Sequence, residues 1–376
     1  MERTSFRRSS QPPTSGKVAT NQPPPERPAG KVPAQPRPGL ACRPRRNTIA
    51  AVMSDAFQLD SVQHSRSEEA LLFLAAPGAP GRRDLQIALR AEALGEMLTR
   101  SGFMGHFWQA RRGTDLVAAA MVIPSAGRVG MVFHSPAESP GVEAAALSAA
   151  LRAAADAALA DGLAFVQSLI GHRQHADGRA FVEAGFIRLA ELAYMRRGLA
   201  DAVEPPSVPG LDWQSCQPMD PVELGRVILG TYEQSLDCPA LAGLRSTDDV
   251  LESHKASGTW RPDFWWIARL RGAPAGCVLV NNSASNPGDM DLVYMGVMPA
   301  FRGLGLGRAM VRHACRQAQG DRGEFMNVVV DAANPYAGKI YEAEGFRVTH
   351  RRVAYIRRRY SESQENIRRR NDMGTV

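Results

Sequence analysis

Val297-Met298-Pro299-Ala300-Phe301-Arg302-Gly303-Leu304-Gly305-Leu306-Gly307-Arg308 decides how this chain is read. An apolar run ends at Val297, glycines follow at every second position from Gly303 to Gly307, and an amphipathic run begins at Leu304. That order predicts a strand, a tight loop and a helix. Glycine tolerates the backbone conformations a tight loop needs and places no Cβ between the backbone and a ligand. The unpaired N–H groups of the first helical turn, aided by the helix dipole, then make a seat for an anion. Two common phosphate loops do not fit. A G-x-G-x-x-G reading from Gly303 needs a glycine where Arg308 stands, and no Gly-Lys-Ser/Thr follows.

Outward from this loop the pattern continues. Pro221 to Leu236 reads as an amphipathic helix. Ser246 to Ser257 reads as a second helix, with Ser246 as N-cap and acids in its first turn. Strands are expected at Phe264–Arg269, Gly276–Val280 and Asp289–Val297. The loop's helix runs from Leu304 to about Gln319. It is followed by a buried strand at Phe325–Val330, a helix at Asn334–Glu344 and a closing strand at Arg347–Arg358.

The chain also repeats itself. Phe181-Val182-Glu183-Ala184-Gly185-Phe186, leading to Ala193-Tyr194-Met195-Arg196-Arg197, matches Tyr341-Glu342-Ala343-Glu344-Gly345-Phe346, leading to Ala354-Tyr355-Ile356-Arg357-Arg358. Two matches in one order predict an internal duplication. The fold class expected is therefore α+β, with two tandem domains after a disordered N-terminal tail. Each domain would be a mixed, mostly antiparallel twisted sheet flanked by helices. The boundaries read as a Pro/Arg-rich tail over 1–52, a first domain over 53–197, a Pro-rich linker over 198–211, a second domain over 212–360 and a basic tail over 361–376. Met53 is a candidate for the true start of translation.

Composition narrows the function classes. The 376 residues carry a formal net charge of +7. Residues 1–48 hold ten Lys/Arg against two acids, a surplus of eight, so the rest of the chain is near −1. The basic character belongs to a tail, which disfavours nucleic acid as the partner of the folded part. No apolar run is long enough for a membrane span. The five cysteines (Cys42, Cys216, Cys238, Cys277, Cys315) are far apart. That argues against a metal site or disulfide framework and for the cytoplasm.

Arg302-x-x-Gly305-x-Gly307 after Val297-x-Pro299 resembles the pyrophosphate loop of the GNAT superfamily of acyl-CoA-dependent N-acyltransferases. Asn334-Pro335-Tyr336-Ala337, followed by Tyr341-Glu342-Ala343-Glu344-Gly345-Phe346, resembles that family's second motif. The resemblance covers about 150 residues. It implies two tandem GNAT-like domains and acetyl-CoA as co-substrate, with no metal. Backbone amides of Arg302, Gly303, Leu304, Gly305, Leu306, Gly307 and Arg308 would bind the pyrophosphate. The backbone of Val297 would pair with the pantetheine arm, and an amide near Gly296 or Val297 would polarise the thioester carbonyl. Asn334 would hold the pantetheine region, and Tyr341 would protonate the departing thiolate. Asp291 is the candidate base, with Tyr294 and His313 behind it. Strand alternation would set Asp289, Asp291 and Val293 on one face and Met290, Leu292 and Tyr294 on the other. Trp260, Trp265, Trp266 and Tyr232 are candidates to line an acceptor pocket.

The first block lacks these groups. Phe181 falls at Tyr341, Gln174 at Asn334, Ser139 at Arg302, Val142 at Gly305 and Ala144 at Gly307. It reads as a degenerate copy that forms the acceptor cleft or a docking surface. The function expected is an N-acetyltransferase in which a small-molecule or protein amine attacks the thioester directly in a ternary complex. A homodimer is compatible with this. The alternative is a non-catalytic acyl-CoA-sensing or nucleic-acid-binding regulator.

Overall fold

The computed structural model describes residues 57–62, 67–75, 85–101, 106–139, 141–201, 204–218 and 220–359. The expected N-terminal tail, the candidate start at Met53 and the basic C-terminal tail lie outside them. The first half runs β1 (Gln58–Ser61), α1 (Ser67–Ala75), α2 (Leu85–Ser101), β2 (Phe107–Arg112), β3 (Asp115–Ser125), β4 (Val129–His134), α3 (Ala144–Ala160), β5 (Phe165–Gly171), α4 (His175–Glu183) and β6 (Ile187–Gly198). The second half repeats the order. It has β7 (Leu211–Ser215), α5 (Pro221–Tyr232), α6 (Thr247–Lys255), β8 (Trp265–Leu270), β9 (Ala273–Asn282), β10 (Asp289–Val297), α7 (Leu306–Gly320), β11 (Phe325–Asp331), α8 (Pro335–Ala343) and β12 (Arg347–Arg358). β7 begins at Leu211, the last residue of the expected linker.

The two expected sheets are the halves of one. Twelve strands lie in the order β1-β2-β3-β4-β5-β12-β6-β11-β10-β9-β8-β7. Each half inserts its last strand between the last two strands of the other. β12 pairs antiparallel with β5 and β6, and β6 pairs antiparallel with β11. The junction is well filled, because Ala193 and Met195 of β6 are buried with Val328 and Val330 of β11 in the core of the second half. Val353 and Tyr355 of β12 are likewise buried in the core of the first half.

Each half contains one parallel pair, β4 with β5 and β10 with β11. The β10–β11 pairing runs only from Asp289↔Phe325 to Leu292↔Val328, and then the strands part. A register shift between Leu292 and Tyr294 marks the point. A bulge of this kind bends a strand and re-aims its side chains. It overturns the strict alternation expected here. Leu292 packs under α7, whereas Tyr294 joins Val293 on the opposite face, against α5 and α6.

Helix ends follow local chemistry. Ser246 caps α6 by accepting from the Asp249 amide (3.1 Å), and the Asp249 side chain accepts from the Ser246 amide in return. Asp220 accepts from the amides of Val222 and Glu223 at the start of α5. α5 stops at Tyr232, earlier than Leu236, because Gln234 takes a left-handed conformation (φ 53°) and the carbonyls at its end turn to Arg302. No helix among the described residues is long and apolar enough to cross a membrane. The four cysteines among the described residues are free.

Candidate active site

Where β10 and β11 part, a cleft of about 660 Å³ passes through the sheet. α7 and α8 bound it on one face, and the end of α5 with the loop over 233–237 bounds it on the other. Past Leu292, the edge of β10 that faces β11 is unpaired, while its other edge stays paired with β9 as far as Val297↔Gly276. A free strand edge in a cleft is a ready partner for the amides of an extended ligand.

The loop over 302–307 closes one end of the cleft. Gly303 (φ 79°) and Gly305 (φ 82°) both adopt the left-handed backbone, which costs an ordinary residue about 1–2 kcal/mol. Gly305 is the N-cap of α7, and no side chain caps the helix there. The helical ladder begins with Ala309 N–H on the Gly305 carbonyl, so the amides of Leu306, Gly307 and Arg308 precede it. A Cβ on Gly307 would meet Ile340 at 2.9 Å, so glycine there lets α7 approach α8. Leu306 is buried in the core beneath, and Leu304 is exposed at the loop's tip.

The Arg302 side chain is exposed but folds back onto the protein. It donates to the carbonyls of Val297 (3.0 Å), Thr231 (3.1 Å), Glu233 (2.7 Å) and Gln234 (3.0 Å). It thereby fastens the end of α5 to the end of β10. Positive charge at the cleft comes from Lys339 and from Arg308, although Arg308 is paired with Glu344. Gly296 permits a close approach of another kind. A Cβ there would stand 2.5 Å from Thr231 Oγ1 and 2.7 Å from the Tyr294 hydroxyl. These two hydroxyls are themselves hydrogen-bonded at 2.5 Å.

Asn334 is the N-cap of α8, its Oδ1 accepting from the Ala337 amide at 3.2 Å. It lines the cleft, as do Gly296, Val297 and Tyr341. Tyr341 is buried, packs edge-on against Phe346 (5.4 Å) and gives its hydroxyl no hydrogen-bond partner among the described residues. Burial, then the charge of Asp237, pushes its pKa above the ordinary phenol value, so it carries its proton at neutral pH.

Asp291 is not brought to the cleft. It lies before the strands part, where its Oδ1 accepts from Asn327 Nδ2 at 2.9 Å. Asp289 is engaged too, accepting from Arg196 at 2.9 Å. The carboxylate that does line the cleft is Asp237. Its Oδ1 accepts from the Asp331 amide at 3.1 Å. Asp237 is exposed at the cleft mouth, yet the protein crowded around its carboxyl, and after it the nearby Asp331 charge, raises its pKa, while the Asp331 amide bond pulls the other way. Sequence reasoning missed it because it stands in a loop with no periodicity. The one available signal was its place just after the α5 helix.

Asp237, Cys238 and Asp331 bring donor atoms within 4.8 Å of one another. The Asp331 carboxylate already accepts from the amides of Cys238 and Ala333, and burial pushes the Cys238 thiol up to about 12. The donor set therefore suits a structural turn better than a thiolate-bound metal. His313, on the buried face of α7, lies between Trp213 (3.9 Å, stacked) and Trp266 (4.8 Å, edge-on), outside the cleft. Tyr232 and Tyr294 line the cleft. Trp265 and Trp266 are core residues, and the half-exposed Trp260 packs on Trp265.

The matching place in the first half is filled. β4 and β5 pair only from Val129↔Phe165 to Met131↔Gln167. Beyond that point Phe181 stacks on Tyr355 (5.5 Å) and meets His134 edge-on (5.0 Å). The buried Asp177 carboxylate accepts from the Ala137 amide at 2.6 Å, in the loop that corresponds to 297–302. Glu143 stands as N-cap of α3. The Glu143 carboxylate does not cap the helix and accepts from Arg112 instead (2.7 Å), so it is Asp177 that takes up an amide of the loop where the second half leaves amides for an anion.

Residues 234–346 match the Acetyltransferase (GNAT) family. The chain is 27% identical over 190 residues to a mycothiol acetyltransferase of Acidothermus cellulolyticus, a match covering 43% of this chain and 53% of that protein. It thus spans about half the length of that curated relative. A GCN5-related N-acetyltransferase from Sphaerobacter thermophilus shares the fold, with TM-score 0.53 and 17% identity over 81% of this chain and 96% of its own. A tandem GNAT protein from the clavulanic acid biosynthesis pathway aligns at TM-score 0.44 and 15% identity, over 81% of this chain and 100% of its own.

Proposed function

Because residues 234–346 belong to the GNAT acetyltransferase family, we propose that the second half of this chain is an acyltransferase that moves an acetyl group from acetyl-CoA to a primary amine. The observation that carries the proposal is the parting of β10 and β11 after Leu292↔Val328, with a free strand edge at the split and a loop of unpaired amides at its end. A pantetheine arm has secondary amides to pair with such an edge, and a pyrophosphate suits the start of α7.

The reaction needs no covalent enzyme nucleophile. A neutral amine attacks the thioester carbonyl, whose oxygen gains negative charge and accepts a hydrogen bond donated by a β10 amide near Gly296 or Val297. The amine's proton passes to the Asp237 carboxylate. The C–S bond then breaks, and the Tyr341 hydroxyl gives its proton to the departing thiolate. Asp237 takes the role first assigned to Asp291, because it is the carboxylate on the cleft wall. The first half is proposed to take no part in the chemistry. Free thiols fit a reducing compartment such as the cytoplasm.

Titration calorimetry with acetyl-CoA tests the reading. Saturable binding is expected, weakened at least tenfold when Gly303 and Gly305 are both replaced by valine. Absence of binding to the parent protein overturns it. Thiol release from acetyl-CoA across a panel of primary amines then reads the transfer itself.

A further inference from the structure

The wall of the cleft continues beyond the second half. Val329, which lines the cleft and is 45% exposed, lies directly opposite Tyr194 of β6, and Tyr194 lies opposite His350 of β12. Residues opposite one another on neighbouring strands share a face. The Tyr194 and His350 rings stack at 4.3 Å, 18° from parallel. Arg352, two residues along β12, lies close enough to the Tyr194 hydroxyl for its charge to favour the phenolate, against the burial that raises that group's pKa. The exposed Arg352 guanidinium donates to the Leu169 carbonyl at 3.3 Å and has no carboxylate within ion-pair distance among the described residues. Other arginines nearby are paired, Arg196 with Asp289 and Arg351 with Glu191. The loop bearing Asp237 forms the cleft wall on this same face, and beyond it Leu241 and Leu244 pack on Phe165 and Ile356.

We infer that Tyr194, His350 and Arg352 form the acceptor subsite, and that it selects a primary amine also bearing an anionic group, a carboxylate or a phosphate. This rests on the acetyltransferase reading of the cleft. The acceptor's body lies on the stacked rings, its anion meets Arg352, and its amine points along Val329 toward Asp237. An aromatic platform beside a guanidinium recognises a flat or ring-bearing body and an anion together. The subsite is built across the exchanged strands. β6, from the half without the loop, supplies Tyr194, and the returning strand of the other half supplies the rest.

Matched acceptor pairs test it on the full chain. Glucosamine 6-phosphate is compared with glucosamine, and tyrosine with tyramine, by thiol release from acetyl-CoA. At least one anionic member should exceed its neutral partner tenfold or more in kcat/KM. In Arg352→Gln that ratio should fall toward one through acceptor KM, with acetyl-CoA affinity unchanged. The two pairs separate phosphate from carboxylate. Tyr194→Ala should raise KM for both members of a pair, whereas Tyr194→Phe, which keeps the ring, should not. Equal rates within both pairs, or a preference that survives Arg352→Gln, overturns the subsite while leaving the transferase reading intact. Failure to bind acetyl-CoA removes both.

Discussion

Arg302 donates to the Thr231 carbonyl at 3.1 Å, so a residue of the proposed pyrophosphate loop is also the fastener of α5. With the bonds to Val297, Glu233 and Gln234, one guanidinium closes the last turn of the helix that walls the cleft. Arg302→Ala should therefore lower stability as well as cofactor affinity. Hydrogen bonds from a charged donor on this exposed side chain suggest roughly 1–2 kcal/mol. That corresponds to a melting shift of about 2–8 °C for a unit of this size. Thermal unfolding of the ligand-free protein checks it. A variant that binds acetyl-CoA weakly but melts like the parent would mean that the side chain serves the ligand alone.

Tyr341→Phe keeps the ring that packs on Phe346 and removes only the hydroxyl. Turnover should drop by about 10² or more, the usual range for a lost general acid. Acetyl-CoA affinity and melting temperature should stay near the parent's. A rate within twofold of the parent would take Tyr341 out of the mechanism.

Asp237 should act as a carboxylate, so the rate should rise with pH through its pKa. Partial desolvation of the carboxyl at the cleft wall raises that pKa above the ordinary aspartate value, so the acid limb of kcat should lie above the usual value of about 4. Asp237→Asn should remove the limb and slow turnover by about 10² or more. Asp291→Asn should leave the limb in place, because its carboxylate is held by Asn327 away from the cleft. The pH profiles of the two variants decide between them.

Two buried imidazoles set an acid limit on the fold. Burial lowers His254 and His313 to about 4, and the Nε2 of each is buried without a protein partner. A depressed histidine pKa means that the unfolded chain takes up protons first. Stability is complete above the unfolded value of about 6.5 and is lost as pH falls from there toward 4. At pH 5 each histidine should cost about 2 kcal/mol relative to pH 7.5. Denaturant unfolding at the two pH values measures this. His313→Gln should flatten the dependence, and an unchanged slope would show that the ring is protonated without penalty.

Much of the site was legible in local sequence, because local chemistry makes it. The glycines at 303 and 305 and the bounds of β10 and β12 follow from residue types and their spacing. What escaped depends on partners far along the chain. The bulge after Leu292 sends Tyr294 to the face of α5, and nothing in Asp289–Val297 itself announces it. Asp291 looked available until Asn327, across a strand pair, was seen to hold it. Asp237 gains its position from Asp331, 94 residues later. The short strand at Leu211–Ser215 was hidden by the prolines just before it.

The exchange of β6 and β12 binds the persistence of each half to that of the other. A duplicate that has lost its phenol, its glycines and its capping asparagine would ordinarily be free to disappear. Here its last strand holds β11 through seven residue pairs, from Phe325↔Gly198 to Asp331↔Leu192. Deleting the first half would strip the second of its neighbouring strand and expose an unpaired edge beside the cleft. Selection on the activity proposed for the second half would thus retain the first as well, and a gene trimmed to the second half alone would encode an incomplete sheet.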